Sequence, residues 1–288
     1  MQNQNKIDIS FSVVAYKTPL VQLEGLVNSI KRTSLVYSII LVDNCPSKLL
    51  ENKAKEWKIT YLPSEKNLGY GRANNIAIRQ MLKSNPSKYH VIINPDVVIA
   101  DGTLEKLFEF METNNDVGMT TTKVLYPDGE IQAQQRLLPT PMDLLGRRFG
   151  IRTRKSKARN AVFEMRHFDR TKIFECPFVL GCFMFIRTAV FEKVGLFDER
   201  FFLYLEDTDL SRRIFKEYKV LYYPEGEIIH EYHRDSYHSL KALRHHIASA
   251  FVYFNKWGWL NDKERDEINR RLINAEMERE KQNLTNKI

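Results

Sequence analysis

Two acidic motifs about 110 residues apart hold the residue types best suited to chemistry in this chain. Asn94-Pro95-Asp96 follows the apolar run His90-Val91-Ile92-Ile93, and Tyr204-Leu205-Glu206-Asp207-Thr208-Asp209 precedes a helical pattern. Such a β-branched run makes a buried strand, and proline donates nothing to a sheet ladder, so Pro95 ends the strand and leaves Asp96 at its rim. An oxygen ligand there suits Mg²⁺ or Mn²⁺ held jointly with substrate phosphates; a turn residue after proline is the plain alternative. In the second motif, Leu210, Ile214 and Phe215 recur at helical spacing, which puts the carboxylates at the start of a helix. Capping is the ordinary work of acids in that position and suits Thr208 or Asp209. Together the motifs point to a divalent metal and a general base.

The elements that must position them alternate. Ile9 to Ala15 reads as a strand, and Val21 to Ile30 as a helix with Leu23, Leu26, Val27 and Ile30 on one face. A second strand, Ser38 to Val42, ends at Asp43-Asn44; a helix from Leu49 to Trp57, a strand from Ile59 to Leu62 and a helix from Gly71 to Leu82 lead to the strand before Asp96. Strands separated by helices imply an α/β fold with a mainly parallel sheet and ligands at the carboxyl ends of its strands, where Asp43, residues 67–75 and Asp96 all fall. Asn67-Leu68-Gly69-Tyr70-Gly71-Arg72-Ala73-Asn74-Asn75 is a glycine-bearing loop entering a helix. Its backbone can approach phosphate oxygens and Arg72 can add a charged contact, although turn glycines alone would read the same way. The GxGxxG spacing is absent, which disfavours a nicotinamide cofactor.

At 288 residues the chain can bury a large core, as one α/β domain or as one with a helical appendage. Met1 to Asp8 is polar, Ile9 to Ala15 is too short for a secretory signal, and no run reaches the roughly 18 apolar residues of a membrane span, so a cytoplasmic protein is expected. Cys45, Cys176 and Cys182 have no disulfide or CxxC pattern and read as packing residues. The net charge of +8 fits nucleic acid, anionic lipid or phosphate-bearing substrates. Arg147, Arg148, Arg152, Arg154, Lys155, Lys157 and Arg159 crowd a segment without apolar periodicity, a surface loop near a membrane or polyanion, or simply a solvated one. From Leu240 to Phe254 apolar residues recur every three or four positions, with Lys241, Arg244 and His245 on another face and Trp257 and Trp259 beyond. Such a helix packs on the domain or lies in a membrane interface. The charged tail from Asn261 to Ile288 reads as a solvated helix or a partner contact.

Val13-Val14-Ala15-Tyr16, Val42-Asp43-Asn44, the Asn67–Asn75 segment, Asn94-Pro95-Asp96 and the block from Gly195-Leu196-Phe197-Asp198-Glu199 to Asp209 occur in the order of the family 2 glycosyltransferases, which this chain resembles over nearly its whole length. More narrowly, Asn94-Pro95-Asp96, Gly181-Cys182-Phe183-Met184-Phe185-Ile186-Arg187 and His230 to Ser236 look like bacterial dTDP-rhamnosyltransferases that build O-antigen and related surface glycans. The resemblance implies a GT-A fold: a catalytic domain over 1–237, with a nucleotide half to about residue 100 and an acceptor half after it, then a helical extension over 238–288.

It also implies roles. Ala15 and Tyr16 would offer backbone contacts to the nucleotide, although Lys17 replaces the family's usual asparagine. Asp43 would accept the pyrimidine imide N–H, and Asn67, Gly69, Arg72, Asn75 and Asn94 would line the nucleotide sugar. Asp96 would hold the divalent ion, with Asn94 standing where many relatives carry a first acid. Asp207 occupies the position of the family's general base, and Glu206 and Arg234 would meet the acceptor. His230 is a candidate ligand for the metal or diphosphate, His233 could serve instead, and a buried structural histidine is the alternative. The implied activity is inverting transfer of L-rhamnose from dTDP-β-L-rhamnose to a polyprenyl diphosphate-linked N-acetylglucosamine or similar sugar, at the inner face of the cytoplasmic membrane, without nucleic acid. Transfer of another sugar from a UDP donor, and a non-catalytic polyanion-binding module, are the rival readings.

Overall fold

The computed structural model describes residues 6–148, 153–231 and 240–285. Its strands are β1 (Ile9–Ala15), β2 (Tyr37–Asp43), β3 (Thr60–Pro63), β4 (Tyr89–Ile93), β5 (Val97–Ile99), β6 (Val117–Leu125), β7 (Gln135–Arg136), β8 (Phe174–Glu175), β9 (Phe178–Val179), β10 (Phe183–Arg187) and β11 (Lys219–His230). Its helices are α1 (Leu20–Ile30), α2 (Lys48–Trp57), α3 (Tyr70–Ser84), α4 (Thr103–Thr113), α5 (Pro141–Arg148), α6 (Arg154–Phe163), α7 (Val190–Val194), α8 (Glu206–Glu217), α9 (Leu240–Trp257) and α10 (Lys263–Thr285).

The central sheet runs β3-β2-β1-β4-β10-β6-β11-β5, with β8 also on β11. The first four strands are parallel, as crossovers through helices require. β1 is buried along its whole length because helices cover both faces. Ile9, Phe11, Val13 and Ala15 enter the core with Leu23, Leu26 and Leu107, and Val14 enters the opposite core with Ala77, Ile78 and Leu210. Register sets one rim of the site: Ala15 lies beside Asp43 and Val13 beside Ile93, so Asp43, Tyr16 and residues 94–96 leave the sheet together.

Beyond β4 the parallel order stops. β10 lies antiparallel to both β4 and β6, and its approach brings Gly181 and Cys182 alongside Asn94, whose N–H donates to the Cys182 carbonyl at 3.0 Å. β11 pairs in parallel with β6 and, after an irregularity between Tyr222 and Glu227, pairs antiparallel with β5 so that His230 faces Val97. That pairing carries His230 to Asp96.

Two expectations change. The basic segment expected as a loop contains α6, whose Thr153 side chain accepts the Ser156 N–H as an N-cap. Of α6 only Phe163 is buried, so the helix has no apolar stripe for the sequence to show. Arg159 pairs with Asp143; Arg152, like His233 and Arg234, falls outside the described residues. The C-terminal tail is not solvated throughout over its described residues. α10 buries Leu272 with Ile268 and Ile273 against the body, and Asn269 exchanges two 2.9 Å hydrogen bonds with the Leu138 backbone. No helix among the described residues is long and apolar enough to cross a membrane.

The glycine loop seats directly on the block that leads to α8. Gly69 has φ +81°, and a Cβ there would fall 2.0 Å from the Phe202 carbonyl oxygen, which accepts the Tyr70 N–H at 3.0 Å. Gly69→Ala is therefore expected to cost ~2 kcal/mol or more, read as a lower denaturant midpoint; an unchanged midpoint would mean that the loop does not rest on residue 202.

Candidate active site

The turn at Gly181-Cys182 bonds both motifs, through the Asn94 backbone on one side and Asp207 on the other. The Gly181 N–H donates to Asp207 Oδ2 at 2.9 Å, and the Thr208 N–H donates to the other oxygen at 2.8 Å. The charges of both Asp96 and Asp207 bear on the buried Cys182 thiol, whose pKa burial pushes up. Burial also raises the Asp207 carboxyl above the usual carboxylate range, and the Gly181 and Thr208 amides pull it partly back. A carboxylate so placed is a stronger base than one in water yet is held in one orientation.

The turn into α8 is strained. Tyr204 and Leu205, neither of them glycine, both lie in the left-handed region at φ 72° and 65°. Leu205 is packed with Ala250, Tyr253 and Phe254 of α9, which compensates for a conformation costing on the order of 1–3 kcal/mol per residue. Glu206, expected to touch an acceptor, is only 3% exposed, and its Oε2 has no hydrogen-bond partner among the described residues. Burial first, and the Asp207 charge second, drive its pKa well above the carboxylate range, which favours its protonated form.

Asp96 Oδ1 lies 3.4 Å from His230 Nε2, with Asp96 partly exposed and the imidazole buried. Gln132, which the sequence reading missed, grips His230 twice: its Nε2 donates to the His230 carbonyl at 2.7 Å and its Oε1 lies 3.0 Å from Nδ1. The Gln134 amide donates to that same Oε1 at 2.7 Å, which fixes the Gln132 side chain against the imidazole. Nothing local signals this contact, which spans 98 residues.

On the nucleotide side, Asp43 is 1% exposed and accepts from the Cys45 and Ser47 amides and from the Tyr61 hydroxyl at 2.9 Å. Burial and that bond raise the Tyr61 phenol to about 12. Asn44, also missed, ties the strand ends to the glycine loop: its N–H donates to the Ala15 carbonyl and its side-chain amide to the Gly69 carbonyl at 3.0 Å. Asn67 accepts the Gly69 N–H and so shapes the loop from within. Arg72 is paired with Glu199 at 3.1 Å while remaining partly exposed, and Tyr16 is exposed beside Lys17. Asn75 departs from the expected ligand role. It is fully buried, and its amide both donates to the Phe197 carbonyl and accepts the Phe197 N–H, bracketing the acidic block instead. A concavity of about 620 Å³ behind Tyr61 shares no residue with the Asp96–Asp207 cluster.

The model of the family described as Glycosyl transferase family 2 matches residues 10–195, which include Asp43, the glycine loop and Asp96 and stop short of Asp207. The low-salt glycan biosynthesis hexosyltransferase Agl10 of Haloferax volcanii is 27% identical over 73% of this chain, which spans 62% of that protein's length. The N-acetylglucosaminyl-diphospho-decaprenol L-rhamnosyltransferase of Mycobacterium tuberculosis is 26% identical, covering 75% of this chain and 74% of its own. Rhamnosyltransferase WbbL of Escherichia coli is 27% identical over 81% and 87%. Among solved structures, the mannosyltransferase PcManGT from Pyrobaculum calidifontis, in complex with GDP-Man and Mn²⁺, superposes with a TM-score of 0.57 at 13% identity, covering 94% of this chain and 75% of that one.

The neutral state of Glu206 is open to measurement. A carboxyl whose folded pKa exceeds its unfolded value contributes full stability below the unfolded value, about 4.5, and loses it as pH rises through the folded one. Glu206→Gln carries no such loss. Its denaturant midpoint is expected to gain on the wild type as pH rises from about 5 to 8, and parallel curves would exclude a buried neutral acid.

Proposed function

This chain belongs to glycosyl transferase family 2, and from that premise we propose that it transfers L-rhamnose from dTDP-β-L-rhamnose, with inversion, to N-acetylglucosamine or a similar sugar on a polyprenyl diphosphate lipid. The bonds of the Gly181-Cys182 turn to Asp207 and to Asn94, two residues before Asp96, support the catalytic part of that reading. The rhamnose donor and the lipid-linked acceptor are supported by the names of two relatives and by no residue that reads either sugar. Family membership sets the non-catalytic polyanion module aside.

Asp43 and the loop from Asn67 to Arg72 would receive the nucleotide at the rim of β1, β2 and β4. The Asp43 lone pairs already serve Cys45, Ser47 and Tyr61, so an imide N–H would join that set or displace Tyr61 from it. Asp96 and His230 offer one oxygen and one nitrogen donor on a common side. Among the described residues no group of three or more His, Cys, Asp or Glu forms a metal site, so the fit is to Mg²⁺ or Mn²⁺ completed by the oxygens of a diphosphate. Such an ion, when bound, offsets the negative charge that develops on the leaving nucleotide.

The acceptor step belongs to Asp207. Its Oδ atoms would take the proton of the acceptor hydroxyl as that oxygen bonds to the anomeric carbon and the carbon–diphosphate bond breaks on the opposite face, which inverts the centre. Gly181 fixes the carboxylate, and the raised pKa of buried Glu206 disfavours a second charge beside it. The exposed Leu240, Ile247, Phe251 and Leu260, with Lys241 and Arg244 between them, suit a peripheral seat on an anionic membrane, where a lipid-linked acceptor would be found. A peripheral seat at the cytoplasmic face is part of the same proposal.

A screen of dTDP-rhamnose and UDP-sugars against synthetic lipid-diphosphate N-acetylglucosamine tests the donor, and transfer from a UDP-sugar alone would overturn the rhamnose assignment. Asp207→Asn is expected to lower kcat by roughly 10²- to 10⁴-fold with little change in donor KM; full activity in that variant would remove Asp207 from the chemistry. Asp96→Ala should leave a residual rate that needs far more Mn²⁺ for half-saturation, and an unchanged Mn²⁺ titration would count against the ligand set.

A further inference from the structure

The family match ends at residue 195, and the C-terminal helices lie wholly beyond it. Those helices grip α8 on both sides of Asp207. Ahead of it, the Ser249 hydroxyl donates to the Leu203 carbonyl at 2.8 Å, and Tyr253 and Phe254 pack on the strained Leu205. Behind it, Asp209 is fully buried and its carboxylate receives Trp257 Nε1 at 2.8 Å, Lys256 Nζ at 2.7 Å and Arg213 Nε at 2.9 Å. Lys256 also reaches Asp198 at 3.1 Å. One residue pair on, Arg212 is 1% exposed and is held by both Asp262 oxygens at 2.6 and 2.7 Å and by Glu264 at 2.9 Å, with its guanidinium 4.2 Å from the centre of the Trp257 ring.

A helix needs none of this to form. Two buried ion-pair clusters within one and a half turns are costly to desolvate and return little stability relative to apolar packing, but they fix geometry. The geometry they fix is that of residues 203–212, and the one group in that stretch aimed at Gly181 is Asp207.

We propose that Lys256 and Trp257 are positioning residues for the general base: acting through Asp209, they hold the first turn of α8 against its strained entry and so direct Asp207 at the acceptor hydroxyl. This rests on the reading of Asp207 as the base. Neither residue touches the reacting atoms; a displacement of the carboxylate by about 1 Å is enough to cost on the order of 100-fold in rate.

Trp257→Phe removes the N–H donor and keeps the ring beneath Arg212, Lys256→Met removes the cation, and Lys256→Arg restores it. In the full-length enzyme, the first two are expected to lower kcat by roughly 5- to 50-fold with both KM values and dTDP affinity within about twofold of wild type, and the third to recover most of the rate. Combined with Asp207→Asn, Trp257→Phe should cause no further loss. Unchanged kcat in the Trp257→Phe enzyme, or a loss repeated at full size in the Asp207→Asn background, would overturn the positioning role. The base assignment fails separately, through an Asp207→Asn enzyme that retains full activity. Should Lys256→Met misfold by circular dichroism, Trp257→Phe decides alone.

Discussion

A backbone amide joining two distant pieces of chain is the interaction on which the rest depends. The Gly181 N–H reaches Asp207 only because β10 enters antiparallel between β4 and β6, and the same entry gives the Cys182 carbonyl to Asn94. One two-residue turn thereby ties the strand-end motif to the helix-start motif. Neutral hydrogen-bond donors do this work without adding a cation that would bind either acid too tightly. Like charges near one another destabilise each other, and the chain limits the problem by having asparagine at position 94 and by burying Glu206, which raises its pKa.

The first half of the fold was legible because each element obeys its own period. The β1 and β2 runs are rich in apolar and β-branched residues, α1 keeps Leu23, Leu26, Val27 and Ile30 on one face, and parallel order follows from the intervening helices. The second half was less so. β10 is antiparallel, which no local pattern announces, and α6 buries too little to show a stripe. α10 looked solvated because its docking uses Arg265, Asn269 and Glu276 as much as Leu272, and polar residues satisfied by distant partners read as surface in a sequence.

The site divides in the same way. Asp96 at a strand rim and Asp207 at a helix start could be placed from punctuation alone, since Pro95 ends one element and the acidic turn opens another. Their supports could not. Gln132 meets His230 across 98 residues, and Asn44 reaches Gly69 across 25. Asn75 and Glu206 are enclosed, and they show the complementary limit: sequence records that a group can bind, and only packing records that it is already engaged or buried.

The contact between Gly69 and Phe202 has a consequence for how such a chain can change over time. The loop that would cradle the donor is bolted to the backbone that launches α8, and Asn75 holds Phe197 a few residues upstream. A substitution that reshapes the donor loop therefore moves the floor under the base helix as well. The glycine loop and residues 197–205 cannot drift independently in this architecture: a lineage that reshapes one must adjust the other in concert, because the seam between them is closed by backbone contacts.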